Sequence, residues 1–160
     1  MKQLVSLSLL LLVLVGLLIV SRRSGCNPTI AREFLGLADG SLVELKVGDQ
    51  VLELEVANTP ASVSLGLGNR AKMNPDGMLF VFPREGNYLF HMKNMQFDLD
   101  LIWICGTTIV DIHHRVSRES YDRGEVFNSS TPVNMVLELT AGSSQELGLE
   151  VGRRLEFASP

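Results

Sequence analysis

The densest run of chemically capable side chains is His91 to Asp100, HMKNMQFDLD. In an extended strand His91 and Lys93 share one face, and Met92 and Asn94 the other. Asp98 and Asp100 also share a face. Two carboxylates at that spacing can chelate a hard cation or pass a proton. A purely structural account competes strongly: Asp98 can accept backbone N–H groups in a turn, and Asp100 can pair with Arg70 or Lys93. Structural ion pairs perturb carboxylates as readily as active sites do. Asp100 stands among Leu99, Leu101, Ile102 and Trp103, and an acid buried there needs a partner. If the domain is an enzyme, the expected reaction is hydrolysis of envelope material. Asp100 would then be the general base and Lys93 or Arg70 the electrostatic stabiliser.

A second constellation combines Met73, Met78, Met92 and Met95 with His91, and with His113-His114 further on. Thioether and imidazole ligands suit copper outside the cytoplasm. Methionine is also an ordinary core filler, and adjacent histidines in a strand point to opposite faces. Packing is therefore the favoured account, and no metal site is expected. Arg70 and Lys72 read either as solvated charge or as a clamp for an anion, and Trp103 reads as core. No GxSxG, HExxH, phosphate-cradling glycine loop or CxxC occurs, so no cofactor is expected.

The elements that must position these residues follow from the hydrophobic period. Val43, Leu45 and Val47 alternate with Glu44 and Lys46, and Leu52, Leu54 and Val56 with Glu53 and Glu55. Gly48-Asp49 between them predicts a hairpin with one buried face. Thr59-Pro60 predicts a helix start that Gly66 and Gly68 soon end. Gly77 to Phe82 is apolar at every position, so both faces are expected to be covered. Pro83-Arg84-Glu85-Gly86 reads as a turn. Tyr88–Met92, Leu99–Ile104, Ile109–Val116 and Val133–Leu139 read as strands, with a long loop at 117–132. Ser143 with Glu146 matches a capping box, and Arg154–Phe157 could form a last strand. The expected fold is mainly β, an antiparallel sandwich or barrel with two short helices, preceded by an N-terminal hydrophobic helix.

That helix is the run Leu4–Val20, in which 14 of 17 residues are apolar and none is charged. At helical rise it covers about 25 Å, near the lower limit for a bilayer. Lys2 precedes it and Ser21-Arg22-Arg23-Ser24 follows. Residues 1–26 therefore read as a signal anchor or signal segment, 27–40 as a linker, and 41–160 as one β-rich domain. The expected location is membrane-anchored with the domain outside the cytoplasm, or secreted or periplasmic if the segment is cleaved. Cleavage near Cys26 and lipid modification of Cys26 are weaker alternatives. Cys26 and Cys105 are the only cysteines, so one intramolecular disulfide is open but a disulfide framework is not. The net charge is -4. Without residues 1–25, which hold Lys2, Arg22 and Arg23 and no acid, 11 basic residues face 18 acidic ones, a net of -7. That balance argues against nucleic acid as a partner.

Residues from about Glu55 to Phe157 resemble the uncharacterised bacterial and archaeal family known as domain of unknown function 192. The resemblance rests on Gly66-Leu67-Gly68 with Arg70, Gly77 to Phe82, and Phe90 to Met95 with Leu99-Asp100. Val136 to Leu139 with Ala141-Gly142 completes it. It implies a compact, mostly β domain and supplies no activity. The family's recurrent polar residues fall on Arg70, Lys93, Asn94 and Asp100. This chain departs from the pattern at Gly68 (usually methionine), His91 (usually tryptophan), Met95 (usually threonine) and, more mildly, Arg153. The preferred expectation is a membrane-tethered binding or accessory module for a small molecule, glycan or protein partner. Its cleft would be edged by Arg70, Met92, Lys93, Asn94 and Asp100. The alternatives are the hydrolase built on Asp100 and a copper-handling protein built on histidine and methionine.

Overall fold

The computed structural model describes residues 25–158. Leu4–Val20 lies outside the described residues, and so does the expected hydrophobic helix. No helix among the described residues is long and apolar enough to cross a membrane.

Seven strands are present: β1 Leu42–Val47, β2 Gln50–Ala57, β3 Gly77–Gly86, β4 Leu99–Cys105, β5 Thr108–Val116, β6 Val133–Thr140 and β7 Glu156–Phe157. Among the described residues three short helices accompany them, α1 Thr29–Leu35, α2 Pro60–Leu65 and α3 Ser143–Glu146, with a 3-10 turn at Arg118–Ser120. The strands form one sheet in the order β5-β4-β6-β3-β2-β1-β7. The mainly β expectation holds, but the sheet is mixed and single, a curled half-barrel rather than an antiparallel sandwich or barrel, and it carries three short helices among the described residues rather than two. β2 and β3 run parallel, because the chain crosses over through α2 and residues 66–76 instead of turning back. The two edges approach at one end, where Leu155 N–H donates to Thr107 O at 2.8 Å and Ile109 N–H to Arg153 O at 2.9 Å.

The hairpin forms as the period dictates, with Leu45 opposite Leu52 and alternate β1 residues buried. Thr59 caps α2, its hydroxyl accepting from Ser62 N–H, with Pro60 in the first turn. β3 runs on through Pro83–Gly86, where a turn was expected, because β6 offers Gly86 a partner across a bulge. Proline is tolerated in a strand at such an irregularity. Tyr88–Met92 is not a strand: only Phe90 pairs, with Phe127. The segment 27–40, expected as a linker, carries α1, whose Ala31 and Phe34 are buried in the main core. Cys26 and Cys105 form a disulfide with Cα atoms 4.7 Å apart, which ties the start of the described chain to the end of β4.

The sheet has two buried faces. The first gathers Phe34, Leu45, Leu54, Leu79, Ile102 and Leu137 with their neighbours, under α1 and the β1–β7 edge. The second gathers Met78, Phe80, Met92, Leu101, Trp103 and Val136. Only α2 and the loops at 66–76, 87–98 and 117–132 lie over it, and they leave a cleft.

Candidate functional site

The cleft has a volume of about 350 Å³ and opens between the α2–Asn69 segment and residues 88–95. Its position follows from two turns that lock together. Asn69 and Asn94 both adopt left-handed backbone, with φ of 64° and 60°, a conformation asparagine tolerates better than most residues. Asn69 N–H donates to Asn94 O at 2.9 Å, which fixes one turn against the other. Phe80, Phe82, Tyr88 and Phe90 supply aromatic wall. Phe82 and Tyr88 stack with centroids 3.5 Å apart, and Phe90 meets Phe80 edge-on. Leu65 and Leu89 stand at the mouth, 62% and 69% exposed. His91 and Lys93 also line it. The His91 ring lies 5.6 Å from the Tyr121 ring, and Lys93 Nζ lies 6.0 Å from it, so the 117–132 loop reaches this rim.

Of the five residues expected to edge a binding cleft, the structure brings Lys93 and Asn94 to it. Met92 is buried beneath, in the second core. Arg70 instead makes a two-pronged pair with Glu55, at 2.7 and 2.8 Å. Glu55 is the largest cause holding the guanidinium pKa above its usual value, with desolvation opposing it.

Asp100 is fully buried on the first face. One oxygen accepts from Arg115 N–H at 2.7 Å. The other accepts from Gly142 N–H at 3.0 Å, Ser144 N–H at 2.9 Å and Ser144 Oγ–H at 2.6 Å. Burial pushes this carboxyl up. The Arg115 amide, the Ser144 hydroxyl and the Gly142 and Ser144 amides outweigh that push and hold it below the usual carboxylate range. Its acceptor capacity is spent on pinning α3 to the sheet, so the general-base reading of Asp100 is corrected to an anchor. The expected pairing with Arg70 or Lys93 is also absent. Asp98 accepts from Arg118 N–H at 2.8 Å, the turn role weighed above. Gly142 rather than Ser143 caps α3.

All four methionines of the second constellation belong to the second face. Met78 and Met92 are core, and Met73 and Met95 pack against it. His114 Nδ1 lies 2.8 Å from Ser144 Oγ, and no group of three His, Cys, Asp or Glu side chains gathers among the described residues.

Sequence reasoning missed Glu138. It lies mid-strand in β6, only 6% exposed, and lines the cleft. Among the described residues no hydrogen bond or ion pair reaches its carboxyl. Desolvation pushes its pKa up to about 8, so the acid is mostly protonated at neutral pH. The available signal was an acid at a central position of VNMVLELT, a strand apolar on both faces.

Residues 43–157 match the DUF192 profile, described as an uncharacterised ACR, and the chain belongs to that family. A solved structure from Sinorhizobium meliloti, named as a candidate transcription regulator, is 34% identical, with a TM-score of 0.66 over 78% of this chain and 100% of that one. A protein of unknown function from Novosphingobium aromaticivorans, 23% identical, has the same fold, with a TM-score of 0.61 over 72% of this chain and 83% of that one. No curated protein matches the chain. Gly68, His91 and Met95 line the cleft.

Proposed function

We propose that the domain is a small-molecule binding module, held at the outer side of a membrane by Leu4–Val20, with its ligand seated in the cleft over the second face. The observation that carries this reading is the cleft itself. It is concave, within the usual size of ligand sites, and walled by aromatic rings with a few polar groups converging on it. The Cys26–Cys105 disulfide supports a location outside the cytoplasm, since such bonds persist in oxidising compartments. The same bond occupies the thiol that lipid modification of Cys26 would need. A regulator's role on nucleic acid, suggested by the Sinorhizobium protein's name, is disfavoured by the net of -7 outside residues 1–25.

The test is a thermal-shift screen of the full chain against amines, acids, sugars, nucleotides and metals, repeated on Leu65→Trp and Lys93→Ala. Leu65→Trp narrows an exposed lip without touching the core. A ligand at about 100 times its dissociation constant adds about 2.7 kcal/mol. A compound that stabilises wild type and loses its effect in Leu65→Trp supports the cleft. A screen in which nothing shifts wild type, or in which every hit stabilises all three chains equally, rejects it.

A further inference from the structure

Among the described residues Glu138 has no hydrogen-bond or ion-pair partner, and its surroundings define what could become one. Across the second face it stands in the row Glu55, Met78, Glu138, Leu101 and His113. Its direct neighbours Met78 and Leu101 are apolar. Glu55 is two strands away, roughly 10 Å, and both its oxygens are taken by Arg70. His113, two strands away on the other side, lies 3.8 Å from Asp111. From the loops above, the titratable residues that line the cleft are His91, Lys93 and Tyr88. The Tyr88 hydroxyl donates to Arg84 O at 2.6 Å. His91 and Lys93 are exposed and neither pairs with Glu138.

We propose that the cleft takes a cationic amine on an apolar or aromatic body, with the ammonium against the Glu138 carboxylate and the body along Phe80, Phe82 and Tyr88. This rests on reading the cleft as a small-molecule site and names the ligand class. A buried carboxylate is stabilised by a cation that is desolvated with it, and ring faces attract ammonium groups. His91 and Lys93 stand in solvent, where repulsion is screened and an anionic tail of the same ligand would be welcomed. The proton balance is simple. The ligand arrives as the ammonium, Glu138 gives its proton to solvent, and the ion pair forms with no change in covalent bonding.

Calorimetric titration of the full chain tests this with 2-phenylethylamine, hexylamine, 2-phenylethanol and phenylacetate. The amines are expected to bind at least tenfold more tightly than the alcohol or the acid. Their affinity should rise about tenfold per pH unit between pH 6 and 7.5, with close to one proton released per amine bound at pH 6.5. Glu138→Gln, an isostere of the neutral acid, should weaken amine binding at least tenfold and abolish the pH dependence. Equal binding of amine and alcohol, or amine binding unchanged in Glu138→Gln, overturns the amine assignment and leaves the cleft reading standing. Failure of both amines to bind wild type also overturns it, and the compound screen then decides the cleft reading separately.

Discussion

Replacing Glu138 with glutamine should stabilise the protein, by an amount that grows with pH. The folded-state pKa is raised to about 8 by burial, against about 4.3 for an unperturbed glutamate. Between those values the native state holds a proton that the unfolded chain releases. The contribution of Glu138 is therefore fully present below about pH 4 and is lost as pH rises to about 8. The slope is about 1.4 kcal/mol per pH unit. From pH 5.5 to 7.5 wild type should lose about 2.7 kcal/mol relative to Glu138→Gln, whatever the constant difference in packing between acid and amide. Asp100, Asp39 and Glu125 have lowered pKa values, so their contributions are already complete above about pH 5 and do not contaminate the slope. The assay is urea unfolding of both chains at pH 5.5, 6.5 and 7.5, with m-values compared to exclude a change in the unfolded state. Parallel stability–pH curves for the two chains would refute the reasoning, because the carboxyl would then be solvated or paired in the native state. Higher stability together with lost amine binding would be the trade-off expected of a residue kept for function.

Asp100→Ala should cost about 3–5 kcal/mol, since it leaves three amides and a hydroxyl around a buried site without their acceptor. The contribution of Asp100 is present at neutral pH and lost as pH falls through its lowered pKa, so urea unfolding of wild type and variant should converge in strong acid. Reduction of the Cys26–Cys105 disulfide should lower stability by about 2–4 kcal/mol, because it opens a loop with a sequence separation of 79. Melting curves with and without a phosphine reductant check this, and a Cys105→Ser chain should be indifferent to the reductant.

Elements with a local signature were legible in the sequence. The β1–β2 hairpin was readable from a period of two and Gly48, and α2 from Thr59-Pro60. β3 and β6 were readable as apolar runs too short for helices. Helix α1 was not, because seven residues that bury only Ala31 and Phe34 show no sustained period. The capping box at Ser143 was a true local pattern overruled from a distance. Asp100 draws the Ser144 amide and hydroxyl to itself, and the turn enters α3 through Gly142 instead. The four-donor arrangement around Asp100 joins β4, β5 and the α3 turn, so nothing near Asp100 in the chain announces it. Lys93 and Asn94, singled out in the sequence for their polar type, line the cleft. Arg70 was singled out without its partner, since Glu55 lies fifteen residues earlier on a strand that reaches Arg70 only through the parallel crossover.

The two buried acids on the central strands meet opposite environments. Asp100 and Glu138 lie on adjacent strands, opposite Leu139 and Leu101 respectively, and point to opposite faces of the sheet. On the first face the acid is surrounded by donors supplied by the fold, and its pKa falls. On the second face no donor among the described residues reaches the acid, and desolvation raises its pKa. A fold that needed only stability would carry leucine at 138, as it does at 137 and 139. An acid left unpaired under aromatic walls, in a cleft open to solvent through Leu65 and Leu89, has its natural partner outside the protein. On the first face the fold itself completes the acid's hydrogen bonds, and on the second the proposed amine would supply the partner that Glu138 lacks among the described residues.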